Sequence, residues 1–146
     1  MVKMSIEDVK VTPLNQIFHP QGNIFHGLKK SDHGYHNFGE AYFSSINQGE
    51  IKPWKKHLIM TLNLIVPVGE IRFVLFDERE NSETKNNFME IILSPQNYYR
   101  LTVPPNIWTA FKGLGNGLNL LLNIADIEHD PNEIIRLALN DIKYNW

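Results

Sequence analysis

Glycine and proline recur along this chain and leave only short segments between them. The 146 residues include 9 glycines and 8 prolines. Short runs rich in β-branched and aromatic residues, separated by closely spaced turn signals, are typical of a β-sandwich or barrel. We therefore expect an all-β fold in one domain over residues 1–146, a length that suits a single packed core. The predicted strands are 9–12, 23–28, 41–45, 58–66, 70–76, 88–93, 99–103, 108–112 and 118–124.

One short helix is predicted near the C-terminus. Asp130 is a residue type that caps helices, Pro131 would occupy the first helical position, and Glu133 follows three residues after Asp130. This spacing is typical of a capping box at a helix N-terminus. The apolar residues that follow could give the helix a buried face over about two turns.

Composition excludes several classes of function. The net charge of −2 provides no basic field for nucleic acid. The chain has no cysteine, which excludes disulfides and thiolate catalysis. The longest apolar run, 62–68, is too short to cross a bilayer, and the first residues do not resemble a signal peptide. We therefore expect a cytoplasmic protein that binds neither nucleic acid nor membranes.

The segment 49–57, GEIKPWKKH, concentrates three lysines, a tryptophan and a histidine before an apolar run. In an extended strand, Lys55 and His57 would point to one face, whereas Lys52, Trp54 and Lys56 would point to the other. The proline within the segment indicates an edge strand or a bulge. Such a segment is either a solvated edge or one wall of a pocket for an anionic ligand.

Five segments, in order, resemble motifs of the dTDP-4-dehydrorhamnose 3,5-epimerases, which are double-stranded β-helix enzymes of the cupin (jelly-roll) type. The segments are 49–57, 68–79 (VGEIRFVLFDER), 93–97 (LSPQN), 103–111 (VPPNIWTAF) and 139–146 (LNDIKYNW). The resemblance extends over roughly residues 20–146. It implies a homodimer that acts without a metal on a nucleotide-linked keto-sugar, in the biosynthesis of bacterial surface polysaccharides.

The chain departs from the family pattern at its reactive positions. Lys55 and Thr109 occupy the positions of two family histidines, and Lys52 replaces the motif arginine. Gln21 replaces an arginine that holds the nucleotide diphosphate. His57 falls on a family glutamine, a position that is histidine in the related 3,4-ketoisomerases.

The resemblance assigns candidate roles to the remaining groups. His57 would be the base that removes a proton next to the ketone, and Lys55 would stabilise the enolate or bind the diphosphate. Asp141 falls where the family has the aspartate that orients its histidine, so it would orient a catalytic group or form an ion pair with Lys55. The candidate substrate-binding residues are Lys52, Trp54, Lys56, Arg72 and Trp108, for which an exposed strand or ordinary packing is the alternative.

No metal or cofactor is expected. His19, His26, His33 and His36 crowd the N-terminal quarter, but the usual cupin metal pattern is absent: two histidines one residue apart, then a glutamate and a later histidine. The alternative to an epimerase or ketoisomerase is a non-catalytic cupin that binds a sugar nucleotide or a partner enzyme. The feature that distinguishes these two hypotheses is whether Lys55 and His57 face the barrel interior.

Overall fold

The structure, a computed structural model, describes residues 2–146 as a fold built almost entirely of strands. Strands make up 45% of the chain. In the described residues they are β1 (Val2–Lys3), β2 (Lys10–Pro13), β3 (Gln16–Ile17), β4 (Ile24–Phe25), β5 (Glu40–Ser45), β6 (Ile51–His57), β7 (Leu62–Val68), β8 (Ile71–Asp77), β9 (Phe88–Leu93), β10 (Tyr99–Val103), β11 (Ile107–Gly113), β12 (Leu120–Ala125) and β13 (Ile134–Arg136). Two 3-10 turns, Pro131–Glu133 and Leu139–Asp141, complete the elements.

The strands form two antiparallel sheets and one small hairpin. The first sheet has the order β1-β9-β8-β11-β6-β13, the second has the order β2-β10-β7-β12-β5, and β3 pairs with β4. Sequential strands that alternate between two sheets give the jelly-roll form of a double-stranded β-helix. The predicted all-β barrel is thus confirmed.

The main core lies between the two sheets. In β8, Ile71, Phe73 and Leu75 are fully buried in this core. Val74, which points to the opposite face of the same sheet, is also fully buried, in a second apolar cluster. That cluster forms because the chain after β13 crosses the outer face of the first sheet, where Tyr144 and Trp146 pack.

The predicted C-terminal helix is a single 3-10 turn, so that prediction is wrong in extent. Asp130 does cap the turn, since its side chain accepts a hydrogen bond from Asn132 N at 2.9 Å. The chain then becomes extended and pairs with β6, where Ile134 lies opposite His57. These long-range strand hydrogen bonds replace the local ones that a helix would make.

A register shift in β6 changes which side chains share a face. Lys55 pairs with Thr109 and Lys52 pairs with Phe111, so three steps along β6 match two along β11. An extra residue of this kind is a β-bulge, and Pro53 lies inside it. The bulge brings Lys52 to the face that carries Lys55, contrary to strict alternation. β6 is not an edge, because β13 pairs with its other side.

In the described residues, no helix has the length and apolar character that a membrane span needs.

Candidate active site

A cavity of about 150 Å³ opens between the two sheets. Lys55 and His57 both line it, as predicted from their spacing on one strand. The first-sheet wall also includes Lys52, Pro53, Thr109 and Phe111, and the second-sheet wall includes Tyr42, Ser44, Leu62, Leu64, Leu121 and Asn123. The two amines and the imidazole therefore project from one wall toward a wall of three leucines and three polar side chains.

A buried carboxylate orients the imidazole. His57 Nδ1 lies 2.5 Å from Glu133 Oε2, and the two residues are 8% and 2% exposed. Glu133 Oε1 accepts hydrogen bonds from Ile59 N and Met60 N, each at 2.9 Å. The Glu133 carboxylate is thus held by three donors, and the 3-10 turn before β13 places it behind β6.

The environment sets the protonation of this pair. Burial lowers the pKa of His57 and outweighs the opposing effect of its hydrogen bond to Glu133. Burial alone would raise the pKa of Glu133, but the hydrogen bonds from Met60 N, His57 and Ile59 N together hold that pKa below its usual value. At neutral pH the carboxylate is therefore ionised and the imidazole neutral. The Nδ1 proton donates to Glu133, which leaves Nε2 as the proton acceptor.

Lys55 is a half-buried amine beside this pair. Burial lowers the pKa of Lys55, and the neighbouring cations Arg136 and Lys52 lower it further, against a weaker opposing effect of Glu133. Within residues 2–146 no ion pair to Lys55 is formed, whereas its neighbour Lys56 lies 3.0 Å from Glu78 Oε1. The amine of Lys55 thus faces the cavity without a partnering carboxylate.

Lys52 lines the same cavity because of the bulge. Its Nζ donates to Ser44 Oγ at 2.9 Å and to Ser45 O at 2.8 Å, and it lies 5.7 Å from the centre of the Phe111 ring. Lys52 remains exposed. It therefore places a fixed positive charge beside the cavity.

Two polar groups on the opposite wall were not predicted from the sequence. Asn123 Nδ2 donates to the Tyr42 hydroxyl at 3.1 Å, and Asn123 Oδ1 accepts from Asn63 N at 3.1 Å. The available signal was an asparagine within an otherwise apolar strand, because a buried amide needs partners. On the first-sheet wall, the buried Thr109 Oγ1 finds no hydrogen-bond partner in the described part of the chain.

Three residues expected to bind substrate lie on the other face of the first sheet. Trp54 is 1% exposed, and its Nε1 donates to Leu139 O at 3.1 Å and to Ile142 O at 3.2 Å. Lys56 Nζ lies 4.9 Å from the centre of the Trp108 ring, and Trp108 is itself buried. Trp54 and Trp108 belong to the cluster that the C-terminal segment covers, Lys56 pairs with Glu78, and none of the three lines the cavity.

Arg72 and Asp141 also lie away from the cavity. Arg72 Nε is 3.7 Å from Glu90 Oε2, and Glu90 Oε1 accepts a hydrogen bond from the Tyr144 hydroxyl at 2.5 Å. Asp141 is exposed and its carboxylate accepts from Ala138 N at 2.9 Å. The carboxylate that orients a histidine is Glu133, and Asp141 makes no ion pair with Lys55 in the described structure.

The described residues contain no group of three or more histidine, aspartate or glutamate side chains arranged to hold a metal ion. The cavity instead combines a histidine–carboxylate pair with two amines. Such a set can move a proton and stabilise negative charge.

No protein-family model matches the chain. The chain is 35% identical to a dTDP sugar isomerase of Desulfovibrio desulfuricans G20, with a TM-score of 0.89 over 92% of this chain and 87% of that one. It is 27% identical to a probable low-salt glycan biosynthesis epimerase of Haloferax volcanii, over 88% of this chain and 86% of the relative. A spore coat polysaccharide biosynthesis protein of Bacillus subtilis is 24% identical, over 97% and 96%.

The fold and the cavity define a cupin-type protein with acid–base residues inside the barrel. A dTDP-4-dehydrorhamnose 3,5-epimerase of Elizabethkingia anophelis shares this fold, with 17% identity and a TM-score of 0.84 over 99% of this chain and 84% of that one. The chain belongs to the family of dTDP sugar isomerases, whose fold it shares with the dTDP-4-dehydrorhamnose 3,5-epimerases.

Proposed function

We propose that this protein is an isomerase that moves a proton next to the ketone of a nucleotide-linked keto-sugar, in the biosynthesis of a surface polysaccharide. The observation that carries the proposal is the buried pair of His57 and Glu133, with the imidazole lining the cavity. The names of the relatives, a dTDP sugar isomerase and proteins of glycan and spore coat polysaccharide biosynthesis, support the substrate class and the pathway.

His57 performs the first step. A C–H bond next to a ketone is acidic enough for removal by a base whose pKa is near neutrality. His57 Nε2 accepts this proton, and the ionised Glu133 stabilises the imidazolium that forms. An N–H group of the Lys55 amine, which lines the same cavity, donates to the ketone oxygen and stabilises the negative charge that develops there.

The second proton transfer decides the product. His57 belongs to the first sheet, and the Tyr42 hydroxyl lines the opposite wall of the same cavity. Delivery of a proton from Tyr42 to the face opposite His57 inverts the carbon and gives an epimer. Return of the proton by His57 to the former carbonyl carbon, with transfer of the neighbouring hydroxyl proton to the former ketone oxygen, gives a ketoisomer instead.

The cations and the exposed surface suggest how the substrate is held and how the chain assembles. Lys52, beside the cavity, provides a positive charge for the diphosphate of the substrate.

Phe43 is 63% exposed on β5, an outer strand of the second sheet, which supports a homodimer that covers this strand. The proposal includes a cytoplasmic location, with which a nucleotide-linked substrate and a chain without cysteine are compatible.

The test is a binding screen followed by isotope exchange. The purified protein is titrated with dTDP-, UDP- and GDP-linked 4-keto-6-deoxy sugars, and each ligand that binds is incubated with the protein in heavy water. We expect deuterium to enter the carbon next to the ketone faster than in a sample without protein. Binding with no exchange over hours would refute the isomerase and favour the non-catalytic cupin.

A further inference from the structure

Lys55 has the surroundings of a nucleophilic amine. It is half-buried, lines the cavity beside His57, and makes no ion pair in residues 2–146. Lys52 in the same cavity is held by Ser44 and Ser45, and Lys56 is paired with Glu78. Of these three amines, Lys55 is therefore the one that makes no hydrogen bond or ion pair with a neighbouring residue in the described structure.

Burial and nearby positive charge favour the neutral form of this amine. Arg136 lies directly opposite Lys55 on β13, and Lys52 is close enough to add to the effect. Burial lowers the pKa of Lys55, and both cations lower it further. A desolvated lysine next to another cation is a recognised way to activate an amine for attack on a carbonyl group.

We propose that Lys55 forms a Schiff base with the ketone of the sugar, so that the reaction proceeds through an enamine and gives an epimer. This inference rests on the proposed function, because it needs a keto-sugar in the cavity. It assigns a covalent role to a lysine that stands where the family has a histidine.

The step balances with water as the only other reactant. The uncharged Nζ attacks the carbonyl carbon, and one amine proton passes to the oxygen to give a carbinolamine. A second proton, taken from the solvent, lets the hydroxyl leave as water and gives a protonated imine. The cationic imine acidifies the neighbouring C–H bond, and His57 Nε2 takes that proton to give an enamine. Tyr42 delivers a proton to the opposite face of the same carbon, and addition of water releases the epimerised ketone, the amine and one proton to the solvent. Exchange with the solvent then removes the proton from His57 and returns one to Tyr42.

Thr109 provides a group for the intermediate. It lies opposite Lys55 in the pairing of β6 with β11, and its buried Oγ1 has no partner in the described residues. A hydroxyl at this position can hydrogen-bond the carbinolamine oxygen before it leaves as water. His57, two residues along the same face of β6, also lines the cavity and provides the base.

The test traps the imine and follows the ketone oxygen. Wild-type protein is incubated with dTDP-4-keto-6-deoxyglucose and sodium cyanoborohydride, and peptide mass mapping locates any reduced adduct. In parallel, the sugar is incubated in ¹⁸O-labelled heavy water, and both deuterium and ¹⁸O are counted by mass spectrometry. We expect an adduct on Lys55 and ¹⁸O entry into the ketone above the rate without protein.

Matched variants separate the roles of the lysines. Lys55→Arg keeps a long basic side chain but cannot form an imine, so adduct formation is expected to be lost and ¹⁸O entry to fall to the rate without protein. Lys56→Arg changes the adjacent lysine, which lies outside the cavity, and should retain both signals. Melting temperatures of the two variants verify that each is folded.

The two isotopes distinguish failure of the Schiff base from failure of the proposed function. Deuterium entry in wild-type protein, with no adduct and no ¹⁸O entry above background, overturns the Schiff base and leaves the isomerase standing. If the bound sugar takes up neither isotope and forms no adduct, both are overturned. An adduct on Lys55 that accumulates without deuterium entry overturns both the enamine step and the isomerase.

Discussion

At the scale of single residues, His57 depends on the carboxylate behind it. Glu133 holds the imidazole by Nδ1 and is itself fixed by two backbone N–H groups. Glu133→Gln keeps the shape but removes the charge that stabilises the imidazolium. We expect the variant to lower the rate of proton exchange by at least about 10²-fold, the scale of general acid–base catalysis. Exchange is measured by mass spectrometry of the sugar in heavy water.

Asp141→Asn is the matched control for that prediction. Asp141 is the carboxylate that the family resemblance assigns to this role, but it lies in an exposed turn. We expect the Asp141 variant to exchange at nearly the wild-type rate. Equal loss in both variants, or loss in the Asp141 variant alone, would contradict the assignment to Glu133.

The pH dependence of stability reports on the same pair. The folded state holds the pKa of His57 below its usual value of 6.5 and that of Glu133 below 4.5. The unfolded chain therefore binds more protons as the pH falls below about 6.5, and stability is lost in that direction. We expect the urea midpoint to fall between pH 7 and pH 5, and to fall less in His57→Asn. An unchanged slope in the variant would show that His57 does not contribute.

At the scale of elements, Trp54 anchors the bulged strand β6 to the C-terminal segment. Its indole is 1% exposed, contacts Trp146, and donates to two carbonyl groups. We expect Trp54→Ala to lower the free energy of unfolding by about 3–5 kcal/mol, the usual cost of truncating a buried tryptophan. Urea denaturation measures this. Leu118→Ala, at a residue that is 56% exposed, should change it by less than about 0.5 kcal/mol.

The strands could be predicted from sequence where the signal is local. β8 follows the alternation of Ile71, Phe73 and Leu75, and the two-residue spacing of Lys55 and His57 places both in the cavity. Glu133 could not be assigned in this way. The signals at Asp130 and Pro131 do predict the cap, but pairing of β13 with β6 is a long-range contact, and it turns Glu133 toward His57.

The bulge in β6 limited the prediction further. Pro53 indicated an edge or a bulge, but only the partner strand shows where the register shifts. The shift moved Lys52 into the cavity. Trp54 remains on the outer face, where the C-terminal segment covers it. The family resemblance assigns residues by motif position, so it could not reveal either contact.

At the scale of the whole molecule, exposed apolar side chains favour self-association. Phe43 on β5 and Phe18 beside β3 are 63% and 78% exposed, and β5 has no strand on its outer side in the described structure. We expect a homodimer at micromolar concentration, and a monomer for Phe43→Lys, because a buried unpaired charge opposes the interface. Light scattering after size exclusion measures the mass. A monomeric wild-type protein would contradict the prediction.

The account as a whole depends on His57 as the base, and one comparison tests it most directly. Wild-type protein and His57→Asn are each incubated in heavy water with a 4-keto-sugar nucleotide that both bind. We predict that wild-type protein introduces deuterium next to the ketone and that the variant retains nucleotide affinity but loses this exchange, because asparagine cannot accept the proton. If the variant exchanges as fast as wild-type protein, the base lies elsewhere and the site described for His57 and Glu133 is contradicted.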